Sequence, residues 1–266
     1  LNLTLHSYIK LLAAESKKLM LEQCYFPELD EPFATALREA VTHAIEQYQP
    51  IGIIGAGSVM RGEGHATSDL DLFVIFEADY RQIEHKFFNG VPCQLFCNPP
   101  QRVLRYFVEE RGRLNNGPTT AHMLSSGVVI LDRDPRIAEI REEAKKALEL
   151  SPKPNENMLQ LMRYHAVSAV ENALDVHQSD PDMAMLEICN ALPAMLHYYF
   201  LKQGKYVPRH KDTIQQVRQL DPDLADLIHQ LFVADEASRA ELLLQIADQT
   251  LEVRRFFEYI WRDDDV

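Results

Sequence analysis

Asp69 and Asp71, separated by a single leucine, close the segment Gly57-Ser58-Val59-Met60-Arg61-Gly62-Glu63-Gly64-His65-Ala66-Thr67-Ser68-Asp69-Leu70-Asp71-Leu72. In an extended chain successive side chains point to opposite faces, so these two carboxylates share one face about 7 Å apart while Leu70 and Leu72 turn towards a core. Like charges held side by side at the edge of an apolar sheet are unfavourable unless a cation lies between them, and hard oxygen ligands of this kind suit Mg²⁺. Magnesium keeps several waters and completes its shell with substrate phosphate oxygens, so a phosphate cradle is expected close by. Gly57 and Ser58 can form one, because a turn without a Cβ exposes backbone N–H groups and the hydroxyl adds a donor. Arg61 is placed in sequence to help neutralise a triphosphate, and Ser68 adjoins the first aspartate; Gly57, Ser58, Arg61 and Ser68 are the candidate nucleotide-binding set of this segment.

Holding these groups together requires a strand on either side of the turn. The run Ile51 to Ala56 ends in small residues, Leu70 to Phe76 is a second apolar run, and Val91 to Cys97 is a third; these are the expected strands, with Val128 to Leu131 as a shorter one. Pro92 would interrupt a ladder bond in a central strand, so the third run is expected to start at an edge. The first fifty residues read as helical, with Phe33, Leu37, Val41, Ala44 and Ile45 at three-to-four spacing after Pro32. Helical patterns return over 103–110 and 119–124, and Pro135 opens a charged helix to Leu150. Ser151-Pro152-Lys153-Pro154 is a stiff linker, which divides the chain into 1–151, a sheet domain with N-terminal helices, and 152–266, an antiparallel helical bundle with runs at 156–177, 182–203, 211–219, 222–232 and 235–261. The expected class is α+β: a small mixed sheet flanked by helices, then the bundle. The terminal Asp263-Asp264-Asp265 reads as a frayed acidic tail.

The segment resembles the signature of the DNA polymerase beta-like nucleotidyltransferases: a hydrophobic residue, Gly, then Gly or Ser, a spacer of about ten residues, and Asp-hydrophobic-Asp/Glu-hydrophobic. Ala56-Gly57-Ser58 matches the first part, with Ala in the hydrophobic place, and Asp69-Leu70-Asp71-Leu72 the second. The layout of sheet domain followed by helical bundle is similar to kanamycin-type and other antibiotic nucleotidyltransferases. The resemblance implies a nucleoside triphosphate substrate, ATP by family habit, Mg²⁺ bound by Asp69 and Asp71, and transfer of a nucleoside monophosphate to a hydroxyl with release of pyrophosphate. A dinucleotide-binding reading of Gly52-Ile53-Ile54-Gly55-Ala56-Gly57-Ser58 fails on context. Gly62 and Gly64 leave no room for the required helix, Met60 stands at the third glycine position, and the acids open the second strand instead of following it.

One departure stands out. Family members that activate a hydroxyl usually carry a third carboxylate on the next sheet strand, yet no Asp or Glu occurs between His85 and Val108, and Gln94 stands where it would be expected. Gln cannot take a proton at neutral pH. Either a base comes from the helical domain or the protein binds nucleotide and transfers it poorly. Glu187, beside Leu186, Ile188 and Ala191, is the first candidate base; an acid at the apolar edge of a bundle suits that role. The plainer reading of Glu187 is a solubilising surface acid. Glu171 and His165 do not share a stripe with each other, and they read as surface or satisfied groups. Lys205, Arg209 and Lys211 surround Tyr206-Val207-Pro208 in a loop, and the resemblance implies that a lysine there, Lys205 or Lys211, reaches the triphosphate; a solvated basic turn is the alternative. His65 and His122 have no assigned role. The stretch Leu242 to Trp261 reads as bundle core or a dimer face.

Composition bounds the partners. With 27 basic against 40 acidic residues in 266, the net charge of −13 disfavours a nucleic-acid backbone and suits a cationic small-molecule acceptor such as an aminoglycoside. An RNA-modifying role would need a basic groove with stacking aromatics, and no such stripe is evident. The four cysteines, Cys24, Cys93, Cys97 and Cys189, form neither a disulfide framework nor a zinc motif. No apolar stretch approaches the ~20 residues of a membrane span, and the N-terminus lacks a basic region followed by an apolar one, so a cytoplasmic protein is expected, with a homodimer compatible. The competing function is a nucleotide sensor or interaction module with faded transferase activity, for which Gln94 is the main support.

Overall fold

The computed structural model of the protein describes residues 5–112 and 118–260; Trp261 and the Asp263-Asp264-Asp265 run lie outside them. Contacts divide the chain into two compact units, the first taking in the chain to Glu110 and Pro118–Leu150, the second the chain from Ser151 on. The architecture is α+β.

In the first unit, α1 (Leu5–Glu22) and α2 (Phe33–Tyr48) precede β1 (Gly52–Ala56), a single helical turn α3 (Gly57–Met60) and β2 (Leu70–Ile75). The hairpin β3 (Gln82–Phe88) and β4 (Val91–Asn98) follows, then α4 (Pro100–Gly112), α5 (Thr119–Ser126), β5 (Val128–Asp132) and α6 (Arg136–Leu148). The strands form one sheet in the order β3-β4-β2-β1-β5, in which only the β2/β4 pair is parallel. Period-two alternation sorts its side chains. Leu70, Leu72, Val74, Leu95 and Cys97 pack with Leu37, Ala40 and Val41 of α2, while Ile54, Phe73 and Ile75 pack with Val103, Phe107, Leu124 and Ile140 of α4, α5 and α6.

Two sequence expectations are corrected. The strand carrying Pro92 is interior, not an edge: β4 lies between β3 and β2. Pro92 is tolerated because the β2 register begins at Leu70↔Cys93, so the proline precedes that ladder and faces only Phe87 of β3. The edge on that side of the sheet is β3, which no apolar run announces, because Gln82-Ile83-Glu84-His85-Lys86-Phe87-Phe88 is too polar. Its signal lay instead in Asn89-Gly90, a two-residue hairpin turn in which both residues have positive φ. The strand is pinned by its even-numbered face. Tyr48 of α2 donates to Glu84 Oε1, His43 Nε2 lies 2.8 Å from Glu84 Oε2, and Lys86 Nζ lies 3.4 Å from it. Burial alone would raise the Glu84 carboxyl, but these donors outweigh it and hold the pKa below the usual value.

The second unit is helical: α7 (Glu156–Val176), α8 (Pro181–Lys202), a 3-10 turn (His210–Asp212), α9 (Thr213–Leu220), α10 (Pro222–Val233) and α11 (Glu236–Leu251). Its last helix ends ten residues before the expected 261, because Glu252 turns into the left-handed region at φ 56° and donates its N–H to Asp248. Beyond that point Phe257 packs under the Arg163 guanidinium at 4.6 Å, whereas Phe256 and Ile260 are exposed. No helix among the described residues is long and apolar enough to cross a membrane.

Asp221 ties three helices of this unit together. It caps α10 by accepting from Leu224 N at 3.0 Å, and accepts from Tyr199 of α8 at 3.0 Å and Gln249 of α11 at 2.9 Å. Burial pushes its carboxyl up, but the Leu224 N–H and the two side-chain donors outweigh it and lower the pKa; burial and the bond to Asp221 push the Tyr199 hydroxyl up to about 12. A carboxyl whose folded pKa lies below its unfolded value near 3.9 contributes stability that is present above that value and disappears as pH falls through the folded pKa. Asp221→Ala is therefore expected to cost about 2–3 kcal/mol at neutral pH from the lost cap and two orphaned donors, and urea melts should show the gap to wild type narrowing as pH falls below the unfolded value near 3.9.

Candidate active site

The row of side chains that matters crosses four strands. Asp71 of β2 is paired in register with Ala56 of β1 and Gln94 of β4, and Gln94 with His85 of β3. Register partners share a face. Further along that face α4, α5 and α6 cover Phe73 and Ile75, but Asp71, Gln94 and Asp69 are only half-buried and His85 is exposed. Leu70 and Leu72, on the opposite face, are fully buried and fix the aspartates' direction.

Gln94 faces Asp71 by register and its Nε2 donates to Asp69 Oδ2 at 3.0 Å, so both aspartates lie at the same end of one face with the amide beside them. An ionised carboxylate only accepts, which sets the amide's orientation. Where the signature would place a third negative charge, this protein places a neutral donor. Among the described residues no group of three or more His, Cys, Asp or Glu is arranged to hold a metal. Two oxygen-donor side chains with open positions fit Mg²⁺ that retains waters and phosphate oxygens better than a closed protein cage. Burial, reinforced by the Asp69 and Asp71 charges, pushes the Cys93 thiol up to about 11.

The turn that precedes the pair is fitted against it. Gly57 has φ +84°, and a Cβ there would stand 2.7 Å from Asp71 Oδ2, so the glycine backbone lies directly against the carboxylate. The backbone then makes the one helical turn of α3, which the spacing of Gly62 and Gly64 had not led us to expect; four residues suffice for it. Ser58 Oγ lies 3.5 Å from Ser68 Oγ, and the buried Ser68 hydroxyl accepts from His65 N–H at 3.0 Å. Ser68 thus braces the glycine-spaced loop over the turn. Arg61 is held by Glu63, with Nε and Nη2 at 2.9 and 2.8 Å from Oε2. An exposed pair of that kind is worth about 0–1 kcal/mol, so a polyphosphate would displace it readily.

The remaining sequence candidates belong to the second unit. Glu187 is half-buried on α8 between exposed Leu186 and buried Ile188. Lys205 and Lys211 are exposed, and Arg209 is paired with Asp212 at 2.6 Å. His165 is exposed, and Glu171 accepts from the backbone N–H of Phe256 at 3.0 Å, a structural bond. His85 carried no recognised role in the sequence, because the strand that presents it was not recognised; the Asn89-Gly90 turn, by setting the hairpin register, was the signal that could have found it.

The family model of the nucleotidyltransferase domain matches residues 37–152, which contain the whole row of side chains just described. Among solved structures the chain is similar to a nucleotidyltransferase-like protein from Exiguobacterium sibiricum 255-15, at 17% identity, over 82% of this chain and 73% of that one, with a TM-score of 0.48. No curated protein sequence matches.

Proposed function

We propose, from the match of residues 37–152 to the nucleotidyltransferase domain model, which implies transfer of a nucleoside monophosphate from a nucleoside triphosphate, that Asp69 and Asp71 hold Mg²⁺, that ATP is the donor, and that the acceptor is a hydroxyl of a small, cationic molecule. The observation that supports this reading is the close approach of the Gly57 backbone to the Asp71 carboxylate, which brings the glycine turn and the acidic pair together. When bound, the ion supplies charge neutralisation at the phosphates. The Gly57-Ser58 turn orients the triphosphate through backbone N–H groups and the Ser58 hydroxyl, and Arg61, leaving Glu63, adds positive charge as pyrophosphate departs. The small-molecule acceptor draws on the resemblance to antibiotic nucleotidyltransferases and on the net charge of −13.

A second reading, a nucleotide sensor without efficient transfer, is favoured by one observation: the amide of Gln94 beside Asp69 in place of an acid. The two separate on one experiment. Thermal unfolding with each nucleoside triphosphate, with and without Mg²⁺, should show metal-dependent stabilisation under both readings. Pyrophosphate release across a panel of hydroxyl acceptors, aminoglycosides included, should occur only under the first. Stabilisation that ignores Mg²⁺ would sink both.

A further inference from the structure

Transfer to a hydroxyl needs a proton acceptor, and the row of side chains on the sheet ends in one. Resting on the transferase reading, we propose that His85 is the catalytic base of this domain, standing one strand beyond Gln94, which occupies the place of the missing acid. Three observations converge on it. The register places His85 opposite Gln94, which is itself opposite Asp71, so all three share a face. The neighbours Glu84 and Lys86 are tied to α2 on the other face through His43 and Tyr48, which leaves His85 no choice of direction. Its side chain is exposed, as are Ile83 and Phe87 on the same face at 52% and 76%, an apolar flank on an edge strand that would lie against an acceptor's carbon skeleton.

The span is suitable. Two strand spacings separate Asp71 from His85, about 10 Å. That gap must accommodate the aspartate side chain, a phosphate, the attacking hydroxyl and an imidazole. Gln94 in the middle is short and neutral, and its amide is engaged with Asp69, so it neither competes for the proton nor repels the nucleotide as a third carboxylate would. In the step, neutral imidazole takes the hydroxyl proton, the acceptor oxygen forms a bond to the α-phosphorus, and the bond from that phosphorus to the bridging oxygen breaks with its electrons leaving on pyrophosphate. The imidazolium returns its proton to solvent. Among the described residues, Asp69 and Asp71 share its face beyond Gln94, Arg81 lies further along the same face against Tyr106 of α4, and Glu84 and Lys86 lie on the opposite face.

The test is pyrophosphate release from ATP and Mg²⁺, with glycerol in excess and kanamycin as hydroxyl probes, for wild type, His85→Gln and Glu187→Gln across pH 5 to 8. For His85→Gln, kcat is expected to fall by about 10²–10⁴-fold and to lose its decline towards acid pH, while thermal stabilisation by ATP with Mg²⁺ is unchanged. If His85→Gln keeps both rate and acid limb, or if Glu187→Gln removes the limb instead, the role of His85 is overturned and the transferase reading stands. If wild type is stabilised by ATP and Mg²⁺ yet releases no pyrophosphate with either probe or with the wider acceptor panel, the transferase reading fails, and the base with it.

Discussion

Asp71→Asn is expected to abolish stabilisation by ATP and Mg²⁺ and to reduce pyrophosphate release by at least about 10³-fold, because a neutral amide in that place forfeits several kcal/mol of charge stabilisation. At a hundred times the dissociation constant the wild type should gain about 2.7 kcal/mol, a shift of roughly 5–10 °C for a chain of this size, and the variant none of it. Asn matches Asp in shape and removes one of two like charges at the end of β2, and the melt of the unliganded variant separates any cost to folding from loss of the ligand response. A variant that melts like wild type but still responds to Mg²⁺ would place the metal elsewhere.

Gly57→Ala is the second large effect, and it separates two causes that usually travel together. An alanine at φ +84° costs about 1–2 kcal/mol of backbone strain. The same residue would also drive its methyl against the Asp71 carboxylate, where 2.7 Å leaves no room. Gly62 is the natural control: its φ is +74°, but nothing lies within 4 Å of an added Cβ. Both alanine variants should therefore lose similar stability in denaturant melts, while only Gly57→Ala loses stabilisation by ATP and Mg²⁺ and activity. Equal loss of nucleotide response in the two would mean that the turn's conformation matters and its contact with Asp71 does not.

The site could be read from sequence as far as it rests on neighbours along the chain. Alternation is a local property of an extended backbone, so Asp69 and Asp71 on one face with Leu70 and Leu72 buried beneath them follow from spacing alone. The absence of any acid between His85 and Val108 is likewise a fact of composition that no register alters. The helices of the second unit were legible from their stripes, and their Asp caps at 180, 221 and 235 mark the starts. The end of the last helix was not legible, because the left-handed turn at Glu252 is a choice for which the stripe gives no sign.

The sequence by itself determined the acidic pair, the glycine turn, the missing third acid and the alternation of sheet and helical segments, because each depends on residues close together in the chain. Only the tertiary structure decided that β4 is interior, that Gln94 donates to Asp69, that Arg61 is engaged by Glu63, and that His85 completes the row. These depend on which strands pair and in what register. Pairing is fixed by long-range burial on two faces of a sheet, and a polar edge strand such as β3 contributes too little apolar surface to announce itself before the sheet is assembled.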